Sequence, residues 1–138
     1  MIEVEVIRVA AVVAQLTNKE IEKVAKHVAK REKIKEAELS FVLLGDRKIR
    51  RINKNFLRHD YVTDVMTFPL DAKKVNAEIY INAEQAKRQA RQYGVTVKNE
   101  LIRLIVHGTL HAFGYDDSTQ RGRKRMERVQ ERYVSDLS

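Results

Sequence analysis

The sequence contains no cysteine, which removes disulfides, iron–sulfur clusters, thiolate zinc fingers and cysteine nucleophiles together and points to a reducing compartment. It has one proline and five glycines among 138 residues. No Pro/Ser-rich linker, low-complexity tract or repeat divides it, so a single domain over residues 1–138 is expected. No apolar run approaches the roughly 18 residues that a membrane helix needs. The start, Met1-Ile2-Glu3-Val4-Glu5-Val6, carries acid where a secretory signal carries positive charge. A cytoplasmic protein without a membrane partner is expected. What the chain has in excess is positive charge: 27 Lys and Arg against 19 Asp and Glu, a formal net charge of +8. That balance favours a polyanionic partner, with nucleic acid ahead of an anionic surface.

Hydrophobic residues make up 43% of the chain and charged residues 33%, a composition able to bury a globular core. Ile2, Val4 and Val6 alternate as a strand, whereas the apolar stretch Val9 to Ala14 has no clear period. Thr17 followed by Glu20 forms a capping box, and Ile21, Val24, Ala25, Val28 and Ala29 then keep helical spacing, which predicts a helix over 18–32. Ala37 to Leu44 reads as a buried strand ended by Gly45-Asp46. Ile49, Ile52 and Phe56 then share one face of a very basic helix. Thr63 to Leu70 and Ala77 to Asn82 read as a hairpin, with Asn82 capping a helix that Gly94 closes. Thr96 opens a helix that is apolar on most sides and stops at Gly114, and Met126, Val129, Tyr133 and Leu137 mark a last helix with a basic outer face. The expected fold is α/β (α+β): one layered domain, a mixed sheet of about four strands and a central helix among others.

That central helix carries the chemistry. His107 and His111 are four residues apart, so their side chains leave one face of the helix about 5 to 6 Å apart at Cβ, close enough to share a metal ion. Asp116 and Asp117 follow just past the Gly114 turn, giving the spacing His-x3-His-x5-Asp. Two histidines and one carboxylate leave a coordination position for water, as in catalytic zinc sites. The plainer reading is a pair of packed, hydrogen-bonded histidines, with one aspartate capping the last helix. Gly108 weighs against it, because glycine inside a helix costs about 1 kcal/mol relative to alanine and implies that something approaches the backbone there. Gly108 also stands where the His-Glu-x-x-His metallopeptidases place their base, so a peptidase mechanism lacks its proton acceptor. A metal-activated water attacking a phosphodiester, with Arg or Lys neutralising charge, suits the inventory.

The run from His107 through His111 to Asp117, HGTLHAFGYDD, resembles the HGxLHLxGYDH signature of the YbeY endoribonucleases. Upstream, Thr63 to Pro69 (TDVMTFP) resembles that family's PTDVLSFP strand, and Ala77 to Ile81 stands where the family often has a GDI-type strand. The resemblance spans roughly residues 37 to 133. It implies a metal-dependent, single-strand-specific endoribonuclease in 3′-end maturation of small-subunit (16S) ribosomal RNA and in ribosome quality control. It further implies the small ribosomal subunit as partner and one divalent metal, zinc first, held by His107, His111 and Asp117, the last replacing the family's third histidine. An oxygen ligand there loosens the preference among divalent ions. Val62 and Ala77 replace the family's usual proline and glycine. The family arginine before the TDV strand is Leu57 here, and Arg58 is the expected substitute from the adjacent position.

On this reading the catalytic candidates are Arg58 and Asp116, and the RNA-binding candidates are Lys54, Arg58, Lys87 and Arg88. Glu78, Asp116 and the activated water itself remain alternatives for the general base. Tyr80, Phe68 and Tyr115 are candidates for stacking on unpaired bases. His59 in a loop and His27 among lysines are weaker site candidates than solvated side chains. Two other functions compete: a ribosome-assembly factor that binds RNA without cutting it and keeps a structural metal, and a metallohydrolase of another substrate class.

Overall fold

A computed structural model describes residues 1–138 apart from 10, 11, 13, 14, 59 and 60. His59 and most of the aperiodic stretch from Val9 to Ala14 therefore lie outside the described residues. The first strand, β1 (Ile2–Arg8), is followed by α1 (Asn18–Arg31), β2 (Ala37–Leu44) and α2 (Asp46–Leu57). Then come β3 (Val65–Pro69), β4 (Asn76–Asn82), α3 (Ala83–Tyr93), α4 (Val97–Ala112) and α5 (Gln120–Leu137). The capping signals act where expected. Thr17 and Glu20 exchange hydrogen bonds at the head of α1, Asn82 accepts from Glu84 and Gln85 at the head of α3, and Thr96 accepts from Asn99 at the head of α4. Gly94 and Gly114 both take positive φ, the left-handed region that glycine enters without a Cβ penalty.

The four strands form one mixed sheet in the order β1-β2-β4-β3. β1 and β4 run parallel to β2, and β3 pairs antiparallel with β4 as the hairpin predicts, with Thr67 opposite Ile79. Strand alternation divides the sheet into two unlike faces. Leu39, Phe41, Leu43, Ile79 and Ile81 point into the main core, where they meet Ile21 and Val28 of α1 and Leu101, Ile105 and Leu110 of α4. The other face holds only a small cluster, Val42, Leu44 and Met66 against Ile49 of α2. Each fully buried aliphatic side chain contributes about 1.5–3 kcal/mol, so most of the hydrophobic stabilisation lies on the α1/α4 side.

α4 fits against the sheet through Gly108. A Cβ there would lie 2.4 Å from Cγ2 of Ile79 and 3.3 Å from Cγ2 of Val65, well inside contact distance. Thr67 Oγ1 also donates to the Gly108 carbonyl at 3.1 Å. What approaches the helix at this glycine is thus the sheet itself, and the closeness seats α4 against β3 and β4. On α2 the periodicity holds at Ile49, which is buried, but Phe56 is 71% exposed and Asn53 takes the buried position instead. The Asn53 amide donates to the Tyr61 carbonyl at 3.0 Å, tying Tyr61 to α2. α5 is capped by Thr119, which accepts from Gly122, and not by either aspartate of the preceding loop.

Candidate metal centre

The helical spacing of His107 and His111 brings their rings to a centroid separation of 4.8 Å at 73°. The loop after Gly114 then folds back so that Asp117 Oδ2 lies 3.3 Å from His111 Nε2. Ligand atoms of His107, His111 and Asp117 all lie within 4.8 Å of one another, and all three residues are half-buried. This is the only such group of three among the described residues.

Each ring is fixed from behind. His107 Nδ1 donates to the amide oxygen of Gln130 at 2.7 Å, and His111 Nδ1 donates to the Tyr115 carbonyl at 3.1 Å. With Nδ1 protonated in both, Nε2 carries the lone pair, which is the tautomer a metal ligand needs and the usual way a protein orients one. Two imidazole nitrogens, one carboxylate oxygen and these outer partners fit a divalent ion of the zinc type.

The frame extends further. Gln130 donates to Glu131 at 3.0 Å, and Arg103 bridges Glu131 (2.8 and 2.9 Å) to Glu100 (2.8 Å). Glu100 is 1% exposed, and its second oxygen accepts from Gln89 at 2.7 Å. The Arg103 guanidinium holds the Glu131 carboxyl below its ordinary range, opposed by partial burial. Glu32 at the end of α1 takes hydrogen bonds from the Tyr115 hydroxyl at 2.7 Å and from the Tyr133 hydroxyl, so the loop is tied to α1 and α5. Desolvation first and the Glu32 carboxylate second raise the pKa of both phenols.

His107 and Asp117 stand where two clefts meet. One is walled by Thr63, Asp64, Val65, Thr67 and Pro69 at the β3 edge, and the other by Tyr93, Val95, Arg103, Arg123 and Gln130. Arg123 is the exposed cation of this junction, with its guanidinium 3.5 Å from the Asp117 carbonyl. Arg58 lines neither cleft; it is the left-handed C-cap of α2 at φ 59°. Asp116 is exposed, and its carboxylate accepts from the Ser118 backbone N–H (2.9 Å) and hydroxyl (2.8 Å), which lowers its pKa.

Among the RNA-binding candidates, Lys54 lies on the outer face of α2 and Lys87 is exposed on α3. Arg88 is held by Asp46 in a two-pronged ion pair at 2.9 and 2.6 Å. Glu78 cannot serve as base at this centre. It alternates with Ile79 and so points to the α2 side of the sheet, where its carboxylate accepts from Tyr80 at 3.3 Å. Phe68 and Tyr80 lie on that far face too, so of the three stacking candidates only Tyr115 belongs to the histidine side. His27 is far from the centre in the fold, beside Asp136 at 3.1 Å.

Sequence reasoning missed Gln130, Arg103 and Glu131 in this frame. Gln130 did leave a signal, since it stands four residues after Met126, on the inward side of α5, where an apolar residue would otherwise be expected.

Residues 5–138 match the sequence model of a family described as Endoribonuclease YbeY. A protein from Chlorobium limicola named Endoribonuclease YbeY is 41% identical over 98 residues, covering 70% of this chain and 68% of its own length. A second of that name, from Chlorobium phaeobacteroides, is 34% identical over 123 residues, 88% of this chain and 89% of its own. The solution structure of TM1509 from Thermotoga maritima superposes with a TM-score of 0.70 at 27% identity, covering 99% of this chain and 89% of that one.

Proposed function

Because the chain belongs to the YbeY endoribonuclease family, we propose that it is a metal-dependent endoribonuclease for single-stranded RNA, with the 3′ end of small-subunit ribosomal RNA as its substrate class. The observation that carries this reading is the convergence of His107, His111 and Asp117 at the junction of two open clefts, with both imidazoles oriented from behind. His107, His111 and Asp117 would hold the ion, zinc ahead of other divalent metals. When bound, it supplies a Lewis acid beside the phosphodiester and makes a neighbouring water more acidic.

The rest of the work falls to the chain itself. Arg123, at the mouth of the cleft beside Asp117, is placed to take a non-bridging phosphoryl oxygen and to neutralise charge that grows in the transition state. It fits this role better than Arg58, which lies off both clefts. Asp116 is engaged by Ser118 and held in its charged form, so it acts as a strut for the loop that carries Asp117. Thr63 gives one wall a hydroxyl able to meet ribose or phosphate, and Thr67, whose proton goes to the Gly108 carbonyl, can accept from a ribose hydroxyl.

The structural-metal alternative is weakened because the loop is already closed by Glu32, Tyr115 and the Thr119 cap. The deciding experiment follows cleavage of a short single-stranded RNA and of a small-subunit 3′ precursor, with chelated protein, reloaded protein and His111→Ala. Expected are cleavage restored by zinc, loss in His111→Ala with folding intact, and a fall in kcat of about 10²-fold in Arg123→Ala, larger than in Arg58→Ala. Chelator-insensitive cleavage, no cleavage of any RNA, or global unfolding of His111→Ala would overturn the reading.

A further inference from the structure

The face of the sheet turned away from the histidines carries a second feature with the character of a nucleic-acid surface. Arg47, Arg51 and Lys54 follow at i, i+4 and i+7 on α2, so they form one stripe about 10 Å long on the side opposite Ile49. Among the described residues none of the three has a carboxylate partner. The one acid in the first turn of α2, Asp46, is taken by Arg88 and by the Asn82 amide at 2.8 Å. Like charges held at helical spacing repel one another, so a stripe left without counter-charge is built for a ligand that brings its own.

At the end of the same helix, Phe56 is 71% exposed. Its ring is held edge-on by Phe68 at 6.2 Å, which in turn meets Tyr80 at 5.6 Å. Phe56 follows Ile49 by seven residues and so lies on the sheet side of α2, with the cations on the outer side of the same helix; a large apolar ring fixed in place and open to solvent is a platform on which unpaired bases stack. One strand joins this surface to the metal centre. β3, one of the two edge strands of the sheet, turns Val65 and Thr67 toward α4 and Met66 and Phe68 toward α2.

We propose that a single-stranded RNA seated in the metal cleft passes over the outer edge of β3 to Phe56, which stacks a base, and crosses the end of α2 to its outer side, where Arg47, Arg51 and Lys54 hold the phosphates. The proposal rests on RNA being the substrate class of the metal centre, and it adds a tether for RNA outside the cleft. The contacts are to backbone and ring faces, so the track reads length and single-strandedness rather than sequence.

The test measures binding of a labelled 20-nucleotide single-stranded RNA by fluorescence anisotropy in EDTA, so that no cleavage intervenes. Parent protein is compared with Arg47→Glu/Arg51→Glu, with Phe56→Ala, and with Lys19→Glu/Lys23→Glu, a charge-matched control on exposed positions of α1. The double variant in α2 is expected to weaken binding at least tenfold and to reduce the salt slope by about 1.4, for two phosphate contacts at roughly 0.7 each. Phe56→Ala is expected to cost about fivefold, and the α1 control less than twofold. Unchanged affinity in the α2 variant, or an equal loss in the α1 control, overturns the track. So does loss of binding to phosphatidylglycerol vesicles with RNA affinity unchanged, which would make the stripe a membrane face. A parent that binds as described but cleaves no RNA refutes the nuclease reading and leaves the track standing; a parent that cleaves but shows no variant effect does the reverse.

Discussion

On the α4 side of the sheet the polar groups around His107 are each held by a partner, whereas on the α2 side Arg47, Arg51 and Lys54 stand in solvent with no carboxylate partner among the described residues. The first region places its ligands by a chain of hydrogen bonds from Gln130 through Glu131 and Arg103 to the buried Glu100. The second places its cations by helical spacing alone. The difference follows from what each would bind. A metal ion needs three atoms fixed within a few tenths of an ångström, and that requires side chains with no rotamer left to choose. A phosphate backbone needs positive charge over an area, and long mobile side chains supply it without a fixed geometry. Order on one face and looseness on the other are therefore two answers to two kinds of ligand.

The largest effect expected from breaking the ordered side is at Arg103. Its removal leaves Glu100, 1% exposed, without its cation and, among the described residues, with Gln89 as its one remaining side-chain partner. Stranding one partner of a buried pair costs about 3 kcal/mol, so thermal denaturation of Arg103→Ala should show Tm lowered by about 10 °C. A loss below about 2 °C would mean that this network is not a stabilising frame, and the contrast between the faces would fail at its stronger end. The partner substitution Glu131→Ala should lower Tm by less, because Glu131 is exposed and its loss strands no buried charge.

A smaller effect sharpens the comparison at the site itself. Gln130→Ala removes the acceptor of His107 Nδ1 and frees the ring to change tautomer. Zinc affinity, read by competition with a chromophoric chelator, should fall roughly 10- to 100-fold, with Tm of the metal-free protein little changed. Gln130→Glu, which keeps an acceptor at the same place, should recover most of the affinity. Equal affinities in all three proteins would show that the ring is oriented by the helix alone.

Much of this was legible in the chain because it depends on local spacing. The capping box at Thr17, the alternation of β1, the buried run of β2 and the hairpin of β3 and β4 all follow from residues within a few positions of each other. So does the His107–His111 pair. The parts that sequence reasoning misplaced depend on which element lies on which face. Gly108 signalled a close approach, but only the sheet order reveals that Ile79 makes it. Glu78 was a plausible base until strand alternation turned it to the other side. Asp116 and Asp117 looked equally able to cap α5, yet Thr119 does so and leaves Asp117 free to face His111. Gln130 and Arg103 act across helices that are distant in sequence, and no periodicity encodes such pairs.

The smallest effect is expected on the loose side, and its sign is informative. Arg51 lies four residues after Arg47 and three before Lys54, so it sits between two like charges on the helix surface. Each such pair costs about 0.2–0.5 kcal/mol, and replacement by alanine also keeps or improves helix propensity. Arg51→Ala should therefore raise Tm by about 1–2 °C at low salt, with the charge-repulsion part of the gain vanishing near 1 M salt, where screening reaches about 3 Å. A protein that becomes more stable when a charge is removed is carrying that charge for something other than its fold. If Arg51→Ala instead lost 1 kcal/mol or more at every salt concentration, the stripe would be part of the structural frame, and the two faces would differ in degree but not in kind.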